Sequence, residues 1–271
     1  MPPGSEIVLW LEASLIIALT ILAGRAYLQI WRQARLEAKL QRTLAPFGFP
    51  DVLVCLVLFT WLGDAVVQGF AAPPRRLNEY AIIEGGLVFA VVVSGILLLL
   101  HARGVPIVRL FGLNPEAPKA LLRRAAGLFA AALPLVYVSF VIVTTIAGGE
   151  PQPQDVTAYF QEAAAASDWY RMGLVLGFAA LVAPVTEEFL FRGYFYGVIR
   201  RYLGVSPALV LTSALFAAIH LNGGVVLPLF VLAICLSLAY EATGSLLTCM
   251  VMHSLFNTTM LALMFYSVRH P

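Results

Sequence analysis

The sequence predicts an all-α, polytopic transmembrane bundle of about eight helices. Three observations carry that prediction. Charged residues make up 12% of the 271 positions and hydrophobic ones 61%, whereas a soluble domain carries about 25% charge. Mean hydropathy is +0.88. Long apolar runs recur along nearly the whole chain, which makes the bilayer its solvent. Helices follow because lipid offers backbone groups no partners, and the runs lack the alternation that a closed barrel needs.

Eight spans are expected, at about 7–26, 52–72, 81–101, 125–148, 172–199, 206–221, 224–241 and 245–267. The first lacks a basic leader and contains Glu12, so it reads as a retained helix. The connection that follows, about 27–50, reads as a basic amphipathic segment at the membrane surface, with Ile30, Trp31, Leu36 and Leu40 among Arg and Lys. Pro151 and Pro153 open an Ala-rich loop around 150–170. That loop divides the chain into 1–150, four accessory helices, and 170–267, a core of four.

Charge orients the bundle. Arg25, Arg32, Arg35, Lys39 and Arg42 follow the first span; Arg103, Arg109, Lys119, Arg123 and Arg124 the third; Arg200 and Arg201 the fifth. The other connections are poorer in cations. By the positive-inside rule the odd-numbered connections are cytoplasmic. Both termini of this multi-pass cell-membrane protein are then expected outside the cytoplasm. The arginines are spread over loops without a basic face, so no nucleic-acid partner is expected. Cys55, Cys235 and Cys249 lie within apolar runs and read as small core hydrophobes, not a redox or metal pair.

Ionisable groups within a membrane are expensive, about 2.5–3.5 kcal/mol each on insertion scales. The second half nevertheless holds Glu187, Glu188, Arg192, His220 and His253, together with the polar amide Asn257. Glu188 and Arg192 are four apart on one helix face and are expected to pair. Glu187 points about 100° away and is left for another partner. Pro184, one turn upstream, removes a backbone donor and can kink the helix. Gly193 and Gly197 form a GxxxG pair that admits a neighbouring helix. Phe216 lies one turn from His220, and His253 shares a face with Asn257. The bland readings are a buried charge pair that locks packing and an interhelical clamp at His253 and Asn257. The combination favours hydrolysis: a carboxylate with an imidazole deprotonates water, and imidazole and amide N–H groups stabilise an oxyanion. Vertical helices would leave Glu187 and His220 several ångströms apart in depth.

The motifs Glu187-Glu188-x-x-x-Arg192, Phe216-x-x-x-His220 and His253-x-x-x-Asn257 resemble those of the CPBP family of intramembrane proteases, also called Abi or CAAX-protease-like. The resemblance covers about 170–267. It implies an intramembrane endopeptidase acting on a membrane-associated or lipidated protein or peptide. It makes Glu187 and His220 the water-activating pair, His253 and Asn257 the oxyanion hole, and Glu188, Arg192 and Phe216 supporting residues. No cofactor is favoured. Glu187, His220 and His253 could ligate Zn²⁺ with water in the fourth position, but the chain has no HExxH. A non-catalytic membrane partner, of bacteriocin-immunity or scaffold type, and a proton-coupled transporter are the alternatives. Neither a GxSxG elbow nor a complete aspartyl pair is present.

Overall fold

The computed structural model describes residues 5–41, 46–71, 77–114, 116–148, 155–220 and 225–270. Among them the chain forms ten helices and no strand. They are α1 Ser5–Gln41, α2 Phe49–Ala71, α3 Glu79–Ala102, the single turn α4 Ile107–Leu110, α5 Pro118–Ala147, α6 Asp155–Ala165, α7 Trp169–Leu203, α8 Val205–Ala218, α9 Val226–Thr243 and α10 Leu246–Arg269. Seven are long and apolar enough to cross a membrane: α1, α2, α3, α5, α7, α9 and α10. The chain is therefore a multi-pass membrane bundle. Its outer faces suit lipid: Trp10 is 73% and Ile146 82% exposed.

The eighth expected span, 206–221, is the 14-residue α8. At 1.5 Å per residue it is about 21 Å long, short of the roughly 30 Å hydrocarbon core. It still acts as the eighth leg. The end of α7 and the end of α9 are tied together by Arg200 and Glu241, at 2.6 Å, and Tyr196 donates to the same carboxylate. Gly204 and Gly244 thus share one end of the bundle, and α8 with α9 forms a hairpin returning to it.

Two other expectations are corrected. The first connection is no separate surface segment: α1 runs unbroken for 37 residues. Tyr27 and Ala34 are buried against the core, Tyr27 donates to the Leu128 carbonyl, and the Trp31 indole donates to Ser206. Of the apolar stripe read as membrane-surface, Ile30 and Trp31 pack against the core, whereas Leu36 is exposed. The Ala-rich stretch after 154 is also helical, because alanine is the best helix former. As α6, it buries Tyr159, Phe160, Ala163 and Ala164 against α7 and α10. The prolines at 151 and 153 lie outside the described residues.

Helices α7 to α10 form the centre. α1 and α5 cover α8 to α10 on one side, and α2 and α3 cover α7 on another. The connection between α3 and α5 plugs the Gly244 end. Phe111, fully buried, stacks edge-on against Phe189 at 5.0 Å, and its carbonyl accepts from Leu246 N–H. Gly193 and Gly197 do not admit a helix. A Cβ at Gly193 would meet the Phe111 ring at 3.2 Å, and one at Gly197 the Phe47 ring at 2.5 Å, so the two glycines are sockets for phenylalanines.

A third glycine fixes the plug. Gly112 has φ +59, and a Cβ there would fall 1.8 Å from the Gly244 carbonyl oxygen. Backbone cannot swing away as a side-chain tip can. Gly112→Ala is expected to destabilise by about 1–3 kcal/mol or more through overpacking and left-handed strain. A thermal midpoint in detergent lowered by several degrees would show it. An unchanged midpoint would mean that the plug is not docked on the Gly244 turn.

Candidate active site

The site is built around a deformed stretch of α7. Residues 178–182 and 189–195 are π-helical, on either side of an α-helical turn, Ala183–Glu188. π turns recur at functional sites because they re-aim side chains within a continuous helix. Pro184 lies between them and can donate to neither the fourth nor the fifth carbonyl behind it. The two glutamates follow within one turn.

Glu188 is the hub. Its Oε1 accepts from Arg192 Nη1 at 2.7 Å and from His253 Nδ1 at 2.8 Å. Arg192 Nη2 donates to the Ala233 carbonyl on α9 at 3.3 Å, and its guanidinium lies 4.4 Å above the Phe216 ring. Glu188, Arg192 and His253 are each less than 5% exposed. The expected pair on one face of α7 is thus present. It is a relay across four helices, closed by a charge, a carbonyl and an aromatic face.

The bond to Glu188 sets the histidine. A carboxylate can only accept, so His253 Nδ1 carries the proton and Nε2 is the basic nitrogen of the neutral ring. That Nε2 lies 4.0 Å from Glu187 Oε2. The imidazole spans the angle between the two glutamates, bonded to one and facing the other. Glu187 Oε2 and Glu188 Oε2 are buried without a hydrogen-bond partner.

His220 sits just beyond the end of α8. Its Nδ1 donates to the Phe216 carbonyl at 2.7 Å, which likewise leaves Nε2 basic. Phe216 connects the two histidines: its ring centroid is 4.9 Å from that of His220 and 5.8 Å from that of His253. The feared depth offset is absent. α7 and α8 run antiparallel from the turn at Gly204, and Phe191 meets Phe216 edge-on at 5.2 Å. Along the chain Glu187 and His220 stand at nearly equal distances from that glycine. Even so, the imidazole within 4.0 Å of the Glu187 carboxylate is His253. His220 contacts its own helix and Phe216.

Asn257 lies one turn beyond His253, as its spacing requires. Its Nδ2 donates to the Ala179 carbonyl on α7 at 2.8 Å, and the neighbouring Ser254 hydroxyl donates to the Ala180 carbonyl. One of the two amide hydrogens is therefore engaged in a helix-to-helix bond. The donor chemistry of Glu187, His220 and His253 would suit Zn²⁺, but the described residues include no group of three or more His, Cys, Asp or Glu side chains placed to hold a metal. The cysteines are all buried and unpaired.

Sequence reasoning missed two features. Ser254 gave no signal alone; the clue was a serine three residues before Asn257 on a helix facing a proline-broken partner. Asp51, placed just outside the second span, is fully buried and joins three helices. It pairs with Arg103 at 2.6 Å and accepts from the Tyr194 hydroxyl at 3.2 Å. Cations concentrated beyond the third span hid its partner.

Residues 169–259 match the family described as Type II CAAX prenyl endopeptidase Rce1-like. The matched stretch runs from the first residue of α7 to within α10 and contains all three motifs. That stretch is similar to the Rce1-like family, in keeping with the CPBP resemblance read from those motifs. No significant match was found among curated proteins or solved structures.

Proposed function

We propose that the Rce1-like stretch is the catalytic core of an intramembrane endopeptidase, which hydrolyses a peptide bond of a membrane-associated or lipidated protein or peptide. The observation that carries the reading is the Glu188–His253–Glu187 array: a buried carboxylate fixes Nδ1 at 2.8 Å while Nε2 faces a second, unpartnered carboxylate at 4.0 Å. A water hydrogen-bonded to both would sit about 2.8 Å from each, a normal distance. A packing clamp needs only one of these glutamates.

In this reading Glu187 and His253 Nε2 together take one proton from the water, and its oxygen bonds to the scissile carbonyl carbon. The carbonyl electron pair moves onto oxygen. Collapse of that intermediate breaks the C–N bond, and the amine leaves with the proton. Glu188 stabilises the imidazolium formed on the way, and Arg192 balances Glu188. Once charged, His253 also presents an Nε2–H, which serves the oxyanion or the leaving nitrogen. His220, with its basic Nε2 held outward by the Phe216 carbonyl, assists the same water once substrate closes the site; apo catalytic geometry is often loose. The second N–H of Asn257 remains for the oxyanion role that the resemblance implies. The basic connections at the Gly204 and Gly244 end face the cytoplasm, and both termini lie outside.

The test is cleavage by the full-length protein in lipid nanodiscs. One probe is a farnesylated peptide with a CAAX terminus; the other is the membrane proteome, compared with and without the protein for new termini. A new terminus that disappears with His220→Ala, about 10²-fold slower by loss of one acid–base group, supports the reading. Cleavage that survives both His220→Ala and Glu187→Ala overturns it.

A further inference from the structure

Pro184 opens a gap in the hydrogen-bond ladder of α7. A donor at position 184 would pair with the Ala180 carbonyl in an α turn, or with Ala179 in a π turn. Proline has no such donor. Those are the carbonyls that α10 reaches: Ser254 Oγ donates to Ala180, and Asn257 Nδ2 to Ala179 at 2.8 Å. Proline is tolerated in membrane helices when a neighbour satisfies the freed group, and here one neighbour reaches both candidate carbonyls.

The Ser254 bond is not the ordinary behaviour of a membrane-helix hydroxyl. Such groups bond back to their own helix, as Thr186, Thr212 and Thr243 do here. Ser254 crosses instead. It adjoins His253 on α10, and the carbonyl it meets lies two turns before Glu187 and Glu188 on α7. The two helices that carry this contact are those that carry the catalytic array. A slip of α10 by one residue is a 1.5 Å shift with a 100° rotation, enough to take His253 Nδ1 out of hydrogen-bond reach of Glu188.

We infer that Ser254 is a positioning residue: together with Asn257 it occupies the two carbonyls, Ala180 and Ala179, one of which the missing donor of Pro184 would have engaged, and so sets the register at which His253 meets Glu187 and Glu188. Its consequence for catalysis rests on the proposed protease reading; its consequence for His253 does not.

The experiment is a double-mutant cycle on the full-length protein in lipid nanodiscs, labelled with ¹⁵N-histidine. Ser254→Ala is expected to shift or broaden the His253 ring resonances while leaving those of His220, which is tied to its own helix. Ser254→Thr should restore them. Pro184→Ala supplies a new N–H at position 184, which closes the gap within α7. In that background Ser254→Ala should perturb His253 less than half as much as it does alone. Should Ser254→Ala fail to fold, the double variant is expected to fold, and its failure too would overturn the inference. It is equally overturned by a His253 signal indifferent to Ser254→Ala, or by effects of the two substitutions that simply add. If the wild type cleaves the farnesylated probe, Ser254→Ala should lower kcat about tenfold with KM nearly unchanged, as misplacement of a catalytic group does. A wild type that cleaves nothing counts against the protease reading and leaves the His253 resonances to decide this one.

Discussion

Glu187→Gln is expected to lower turnover by about 10³-fold or more while leaving the thermal midpoint within a few degrees of the wild type. The substitution keeps the shape of the side chain and removes its charge and basicity. Among the described residues Glu187 makes no ion pair with arginine; its carboxylate faces the His253 ring at 4.0 Å, and its Oε2 has no hydrogen-bond partner. Little folding energy depends on it, since an unpaired carboxylate at low exposure is a burden on stability. Catalysis depends on it heavily: a positioned general base contributes typically about 10²–10⁴-fold. Rate and stability should therefore separate. The measurement is single-turnover cleavage of the same probe, beside a melting curve in detergent. Turnover retained in Glu187→Gln would remove the carboxylate from the mechanism. A scaffold or immunity protein would keep its interaction in this variant, which separates that class from an enzyme.

Much of this was legible because lipid makes polar residues conspicuous. Glu187, Glu188, Arg192, His220 and His253 stood out as ionisable groups within apolar runs, and helical spacing assigned Arg192 to Glu188 and left Glu187 over. Both assignments match the geometry. What spacing could not supply was the neighbour of each group. The array closest to Glu187 comes from α10 and not α8, because a His253 ring bonded to Glu188 is carried across to its neighbour. The length of α8 was overestimated because the apolar run continues past Ala218 to His220 without a break that composition could register. Gly193 and Gly197 looked like a helix-crossing motif, since sequence spacing cannot distinguish a close backbone from an inserted ring. The unbroken α1 was hidden by its arginines, which mark a membrane boundary but do not end a helix.

Arg192→Ala is the complementary case, with its largest effect on folding. The guanidinium is 1% exposed and makes three contacts: the Glu188 carboxylate, the Ala233 carbonyl and the face of Phe216. Truncation leaves Glu188, fully buried, facing only the Nδ1–H of His253. Removing one partner of a buried pair typically destabilises by about 3–5 kcal/mol, because the other charge is left uncompensated. That is a large share of the roughly 5–15 kcal/mol that holds a typical fold together, so the variant should lose most of its folded fraction in a detergent or denaturant titration. The double substitution Glu188→Gln with Arg192→Met removes both charges at similar volume, and buried pairs replaced in this way are often no less stable. It should recover most of the lost folding. It should not recover cleavage: an amide holds His253 Nδ1 with a neutral acceptor and cannot stabilise the imidazolium. A double variant that folds and cleaves at the wild-type rate would reduce Glu188 and Arg192 to packing. One that folds and stays inactive would make the pair the electrostatic support of His253.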